Sequence, residues 1–300
     1  MAQQTRLDVV AAYFDRFIAR FPTIASLAAA DEDDVVAHWS GLGYYRRARM
    51  LRAGAIDVMT RFRGSLPRDV DELMTIAGIG RYTAGAIASI AFERRAPIVD
   101  GNITRILARL YGDDDPWRHA EALVKACRSP RDFNQGLMEI GALICTPRKP
   151  DCSACPLRRD CFAYKTDRID ELPARKSVAS TAMRVALYLI TDRDGRILMR
   201  RESGRLMNAL FHLPHGDSSL LSGKPLQVRG AKSIGTFRHT ITTRRIEFEV
   251  FKCGAAAPGG ADYSWIHPAD LPSVPHPSYV TKALRLAGSE RGRKRVITRE

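Results

Sequence analysis

Residues 145–161 read CTPRKPDCSACPLRRDC and hold four of the chain's six cysteines, Cys145, Cys152, Cys155 and Cys161, in the spacing C-x6-C-x2-C-x5-C. Four thiolates this close, with no nearby histidine, can wrap one tetrahedral centre or one cube, which is how a structural zinc or an iron-sulfur cluster is held. Disulfide pairing is the weaker reading in a chain that shows no export signal, and chance clustering explains the stretch poorly. Cys127 and Cys253 read as ordinary buried thiols. The cysteine stretch also ends the first of two textures in the chain.

From Leu7 to about Tyr164 apolar residues recur at three and four spacing, as in Val9, Val10, Tyr13, Phe14 and Phe17, and again in Ile103, Ile106, Leu107 and Leu110. That period predicts helices almost throughout, separated by short breaks such as Gly41-Leu42-Gly43 and Gly78-Ile79-Gly80. After Cys161 the stretch TDRIDELPARKSVAST is polar and without sustained period, the composition of a linker. Beyond it, MRVALYLITDRDGRILMRR predicts two strands joined by a turn at Asp192 to Gly195, and RRIEFEVFKC alternates in the same way. A last helix is expected near His276 to Leu286, followed by a basic, disordered tail. The division is therefore 1–165 helical, 166–181 linker, 182–287 sheet-containing and 288–300 tail.

Three hundred residues suit two domains, and 45% hydrophobic with 27% charged residues is a globular composition. No run of eighteen apolar residues and no signal peptide stand out, so a cytoplasmic, membrane-free protein is expected. The formal charge is +14, and residues 166–300 carry 23 Lys or Arg against 13 Asp or Glu. Such an excess suits a polyanionic partner, nucleic acid first, although charge alone fits a merely soluble basic protein as well.

Upstream of the cysteines runs DELMTIAGIGRYTAGAIASIAF, two helical stretches joined at Ala77-Gly78-Ile79-Gly80. Glycine lets backbone approach a partner, and the amides opening the second helix can cradle a phosphate. Alone, such a turn is more often a tight connection between helices. Next comes RRAPIVDGNITRILARLYG, in which Asp100 precedes a helix and reads first as its N-cap.

Taken together, these motifs resemble the helix-hairpin-helix superfamily of endonuclease III and, more closely, the MutY-type adenine DNA glycosylases. The cysteine spacing after an all-helical domain matches the loop that holds a [4Fe-4S] cluster in that family, with zinc as the second choice, and Gly78 and Gly80 fall on its hairpin. Val-Asp-Gly-Asn at Val99 to Asn102 matches the MutY branch, which implies that Asp100 is catalytic and that Asn102 lies at the DNA. Cleaving an N-glycosidic bond builds positive charge on the sugar, and a fixed carboxylate stabilises it in the transition state. A general acid is needed as well, to protonate the adenine ring.

Where endonuclease III-type enzymes carry a nucleophilic lysine, GIGRYTAGA has Tyr82, and no lysine occurs before Lys125. The resemblance thus implies a monofunctional glycosylase in which Tyr82 assists the aspartate. GLGYYRRARML resembles the stretch whose first tyrosine, here Tyr44, wedges into the duplex beside oxidised guanine, with Arg46, Arg47 and Arg49 near phosphates. Without the other motifs it would read as an aromatic helix face with a solvated basic flank. Residues 182–287 look like the Nudix-like recognition domain of the family, lacking the G-x5-E-x7-R-E-U-x-E-E-x-G-U box and hence pyrophosphate hydrolysis. Ile241-Thr242-Thr243 stand where the family reads 8-oxoguanine with Phe-Ser-His, so Thr242 keeps a hydroxyl while the histidine is lost and lesion discrimination is expected to be looser.

The resemblance therefore implies a multidomain protein: an all-α helix-hairpin-helix glycosylase domain with an iron-sulfur loop, plus an α+β Nudix-like domain. It implies a monomer that removes adenine from 8-oxoguanine:adenine or guanine:adenine mispairs in double-stranded DNA, in a bacterial cytoplasm. Endonuclease III-like or mismatch thymine glycosylase activity, and lesion binding without catalysis, are the alternatives. Family members run Ser-Glu-x-Met-Leu-Gln-Gln-Thr into the first helix, which matches Gln3, Gln4 and Thr5 as DNA contacts and sets the general-acid glutamate two positions before Met1. An in-frame upstream start encoding that Ser-Glu pair is the expectation.

Overall fold

The computed structural model describes residues 1, 5, 7–174, 179–204, 207–216, 219–222, 225–226, 228, 230–254 and 262–296. Gln3 and Gln4 lie outside the described residues. The chain divides into two compact units, one built from residues 1–52 and 178–300 and the other from residues 53–177.

The first four helices are α1 (Leu7–Arg20), α2 (Ile24–Ala29), α3 (Glu32–His38) and α4 (Arg46–Arg61), the last passing from one unit into the other. Thr23 and Asp31 cap α2 and α3 through their side-chain oxygens, satisfying amides that a helix start leaves open. The period of α1 and α3 turns Val10, Phe17, Val35 and Val36 inward around Trp39, which is 1% exposed. Phe17 meets that indole edge-on at 5.8 Å, a favoured aromatic geometry.

The second unit continues with α5 (Val70–Met74), α6 (Arg81–Ala86), α7 (Gly101–Tyr111), α8 (Pro116–Ala126), α9 (Pro130–Glu139) and α10 (Phe162–Lys165). Helices α6 and α9 run on into wider, π-type turns at Ile87–Ala91 and Ile140–Ile144. Proline opens both α8 and α9, each behind a capping side chain, Asp115 or Ser129, where its missing amide costs nothing. Helix α7 lies at the middle of this unit, with Ile103, Ile106 and Leu107 buried against Ile98, Ala120 and Leu137. The described residues of 1–174 are helical or irregular, without strands, as the 3.6 period requires.

Six strands follow: β1 (Thr181–Ile190), β2 (Ile197–Arg201), β3 (Phe211–His212), β4 (Lys232–Ile241), β5 (Arg244–Cys253) and β6 (Tyr263–Ile266), before α11 (Ser278–Val296). They form two three-stranded sheets, ordered β1-β5-β4 and β3-β2-β6. The two strands expected from MRVALYLITDRDGRILMRR are present, and the Asp-Gly turn closes as predicted, with the Asp192 amide donating to the Arg196 carbonyl. They do not pair as a hairpin, however. Only the bridge Thr191↔Ile197 joins them, while β1 runs parallel to β5 over its whole length and β2 pairs with β3 and β6. The reason is burial: β1 alternates Val185, Leu187 and Leu189 inward, in step with Ile246, Phe248 and Val250 of β5, and that shared apolar face outweighs the local turn. Tyr279 of α11 stacks on Phe248 at 4.6 Å and closes the face. The tail departs from expectation too, since α11 carries helical backbone through Val296. Cys253 is buried as expected, whereas Cys127 is only half-buried.

A buried polar cluster sits behind β2. The Glu202 side chain is 2% exposed, with His212 Nε2 at 3.2 Å; it accepts the Gly204 amide at 2.7 Å and the Ser222 amide and hydroxyl. Burial by itself would push this carboxyl up, but those hydrogen bonds outweigh it and bring its pKa down to about 2. A carboxyl near 4.5 when unfolded and near 2 when folded stabilises the fold above the unfolded value, and the contribution disappears as pH falls through that window. Glu202→Gln should therefore lower the unfolding free energy at neutral pH by about 3 kcal/mol and flatten its decline between about pH 4.5 and 2, measured by urea unfolding across pH.

Candidate functional site

Asp100 is the N-cap of α7. Its Oδ1 accepts the amides of Asn102 at 2.9 Å and Ile103 at 2.8 Å, and Oδ2 accepts the Asn102 side-chain amide at 3.3 Å. Three donors hold this carboxylate in one orientation at the positive end of an eleven-residue helix. The capping role read from sequence is thus present, and it orients the same oxygens that a catalytic role would use. Tyr82, at the second position of α6, packs against the cluster of Ile98, Ile103 and Leu107. Its hydroxyl points to Met138 Sδ at 4.0 Å and not to Asp100. Burial first, and the negative charge of Asp100 second, push this phenol above the usual tyrosine range, so it stays protonated.

Asn102 is itself held. Its Oδ1 accepts from Arg105 Nη2 at 2.9 Å, and that guanidinium also donates to the carbonyls of Gly141 and Cys145, each at 2.7 Å. Gly141 permits this approach: a Cβ there would stand 2.8 Å from Asn102 Cβ. One turn further along α7, buried Arg109 donates to Cys145 Sγ at 3.3 Å, the Thr146 carbonyl at 2.9 Å and the Leu172 carbonyl at 3.0 Å. The i, i+4 spacing puts both arginines on the face that meets the cysteine loop. Sequence reasoning passed over them, because arginine on an apolar helix face normally reads as surface.

The four cysteines line one concavity of about 30 Å³ together with Arg109, Ile144, Pro150, Tyr164 and Ile169. The Cys152 thiol is pushed up by burial and then by Cys145, Cys155 and Cys161, so the four sulfurs feel one another's charge. Among the described residues no group of three or more His, Cys, Asp or Glu is placed to hold a metal ion. By chemistry, four thiols are the donor set of a soft metal centre. Cys161 Sγ also donates to the Arg109 carbonyl at 3.3 Å, tying the last cysteine to α7 as Arg109 ties the first.

In the hairpin, Gly78 has φ +81° and Gly80 caps α6 without a side-chain hydrogen bond. Both are exposed, and Asp57 pins the turn by accepting the Ala77 amide at 2.8 Å. Tyr44 belongs to the other unit, where its ring is 48% exposed. Of the three arginines that follow, Arg46 is exposed, whereas Arg47 and Arg49 are turned inward. Arg47 donates to Thr5 Oγ1 at 3.0 Å and to the carbonyls of Met1 and Gly43, which joins Thr5 to the Tyr44 turn. Arg49 is paired with Glu32 at 2.9 Å and donates to the Asn208 carbonyl. Both of the latter two thus hold partners within the protein, and Arg46 is the more exposed of the three. Thr242 sits exposed at the tip of the β4–β5 hairpin with φ +53°, its hydroxyl donating to the Ile241 carbonyl at 2.7 Å.

The family model described as the HhH-GPD superfamily of base excision DNA repair proteins matches residues 1–129. Over 197 residues the chain is 41% identical to the adenine DNA glycosylase of Mus musculus, covering 61% of this chain and 38% of that protein. It is 34% identical over 231 residues to the adenine DNA glycosylase of Buchnera aphidicola subsp. Schizaphis graminum (strain Sg), covering 73% of this chain and 66% of that one. The chain thus spans less than two thirds of the length of these relatives. Among solved structures, a thermostable thymine-DNA glycosylase is similar with a TM-score of 0.50 and 28% identity, over 55% of this chain and 80% of that one.

Removing the Arg105 side chain leaves two carbonyls and the Asn102 amide oxygen without their donor. Arg105→Leu is expected to cost about 3 kcal/mol in denaturant unfolding followed by far-ultraviolet circular dichroism. Arg105→Lys should recover less than half of that, since an ammonium cannot reproduce the planar fork.

Proposed function

We propose, from the premise that the chain belongs to the HhH-GPD superfamily of base excision DNA repair proteins, that it hydrolyses the N-glycosidic bond of adenine mispaired with 8-oxoguanine or guanine in double-stranded DNA. The observation that carries this reading is the Asp100 carboxylate, fixed by three donors at the start of α7. With the adenine nucleotide turned out of the stack, that anion lies ready for the positive charge that develops on the sugar as the bond to the base breaks. As that bond breaks the base takes up a proton, and water adds to the sugar as hydroxyl and releases one, so that hydrolysis balances. Tyr82 in place of a lysine supports a monofunctional reaction without a Schiff base. Asn102 keeps Asp100 in register, and the Tyr82 phenol, which feels the charge of Asp100, is proposed to assist it.

Cys145, Cys152, Cys155 and Cys161 are proposed to hold a [4Fe-4S] cluster, with zinc as the second choice, a reading supported by four thiols that line one concavity. When bound, the cluster supplies a rigid anchor for the loop and takes no part in hydrolysis. Gly78, Gly80, Arg46, Thr5, Gln3 and Gln4 are proposed to meet the DNA backbone, Tyr44 to enter the base stack, and Thr242 to face the oxidised base. Residues 1–165 form the glycosylase domain in this reading, joined by 166–181 to a Nudix-like recognition domain at 182–287 and the basic segment 288–300. Among the described residues no helix is long and apolar enough to cross a membrane, and in this reading the protein is a cytoplasmic monomer that associates with the nucleoid through DNA.

A second reading, removal of a mispaired thymine, is favoured by the similar thymine-DNA glycosylase. Duplexes carrying 8-oxoguanine:adenine and guanine:thymine separate the two: free adenine from the first alone is expected, and thymine from the second would reverse the assignment. Asp100→Asn should lower the single-turnover rate at least about a thousandfold while the fold survives, since asparagine caps helices nearly as well as aspartate. No adduct should form with borohydride. An absorption band near 400 nm in the purified protein would assign iron to the cysteines, and its absence together with stoichiometric zinc would overturn that assignment.

A further inference from the structure

The turn that carries Tyr44 is built from left-handed backbone: Gly41 has φ +108°, Gly43 +72° and Tyr44 itself +50°. Glycine adopts such angles freely, whereas a tyrosine does so only where its surroundings over-determine it. The surroundings are specific. A Cβ on Gly41 would collide with the Tyr13 hydroxyl, so α1 presses directly on the turn. The Arg47 guanidinium lies 5.4 Å from the Tyr44 ring and 5.4 Å from the Trp39 ring, with its donors on the Leu42 and Gly43 carbonyls.

Tyr45 runs the other way. Its hydroxyl donates to the carbonyl of His276 at 2.8 Å, a residue 231 positions along the chain. The His276 amide donates in turn to Ser40 Oγ at 3.3 Å. One residue thus brackets the turn at both ends, Ser40 and Tyr45. His276 is 7% exposed, and its ring is fixed by the Val274 carbonyl at 2.7 Å and Thr281 Oγ1 at 3.1 Å. From there α11 leads straight to the sheet: Tyr279 stacks on Phe248 of β5 and meets the His239 ring of β4 at 6.1 Å. Strand β4 ends at the hairpin tip that carries Thr242. All of these residues belong to the same compact unit.

We infer that Tyr45 is a positioning residue for strand opening: its hydrogen bond to His276 couples the Tyr44 ring to the β4–β5 hairpin, so that engagement of the oxidised base by the hairpin sets where the wedge stands. This rests on the reading of Tyr44 as the residue that enters the stack. Burial pushes the Tyr45 hydroxyl up to about 12, so it remains a neutral donor across the working range.

The test places 2-aminopurine opposite 8-oxoguanine and reads its emission at saturating full-length protein, together with the affinity ratio for 8-oxoguanine:adenine over guanine:adenine duplexes. Tyr45→Phe deletes one oxygen and is expected to reduce both the unstacking signal and the ratio, the latter about tenfold, the worth of one buried hydrogen bond. Affinity for undamaged duplex should stay as in the wild type, and the thermal midpoint should fall by no more than about 5 °C. Ser40→Ala, which removes the other bracket, should move both readouts in the same direction. In a Tyr44→Ala background Tyr45→Phe should add nothing, because the hydroxyl acts through Tyr44. Wild-type emission and ratio in Tyr45→Phe, or an undiminished effect of it without Tyr44, would overturn the inference. If Tyr44→Ala alone leaves unstacking unchanged, the reading of Tyr44 falls and takes the inference with it, a result recognisable because it appears in that single variant.

Discussion

The carboxylate of Asp100 receives the first amides of α7, and the order of the second unit follows from that cap. It sets where α7 begins, which places Asn102 one turn ahead of Arg105 and Arg105 one turn ahead of Arg109. Through these two guanidinium groups the helix gathers the carbonyls of Gly141, Cys145, Thr146 and Leu172. A loop of seventeen residues with four thiols and little apolar content has no core of its own to fold around. The donors of α7 supply what it folds around.

Burying two arginines in one helix is expensive unless every donor finds an acceptor, and backbone carbonyls of the loop serve that purpose. The arrangement is reciprocal. The loop lacks a regular ladder for its carbonyls, and the helix carries charges that would otherwise be stranded. The opposite face of α7 is plain hydrophobic packing, Ile103, Ile106 and Leu107 against Ile98 and Leu137. A single helix therefore joins the apolar core, the capped carboxylate and the cysteine loop. Its mouth is a suitable place for an anion that must not move while charge develops beside it.

Much of this was legible in the sequence because it is local. Asp100 before an apolar period, prolines opening α8 and α9, four cysteines at fixed spacing and the alternation of β5 are all written within a few residues of where they act. What escaped is long-range. Parallel pairing of β1 with β5 depends on two faces more than fifty residues apart matching in burial, and a local Asp-Gly turn gave the wrong partner for β1. The internal partners of Arg47 and Arg49 escaped too, because sequence shows charge and not the carbonyls that accept from it. The bond from Tyr45 to His276, and the cluster around Glu202, join residues that no window of sequence brings together.

The central claim is that Asp100 is a fixed anion aimed at positive charge on the sugar. Its most direct test is equilibrium binding to two duplexes with 8-oxoguanine opposite a sugar analogue, a cationic pyrrolidine in one and a neutral tetrahydrofuran in the other. This comparison needs no leaving group and no general acid. The account predicts that the cationic duplex binds at least about tenfold more tightly and that Asp100→Asn removes the difference. Equal affinity for the two analogues in the wild-type chain, or a preference that survives in Asp100→Asn, would contradict it.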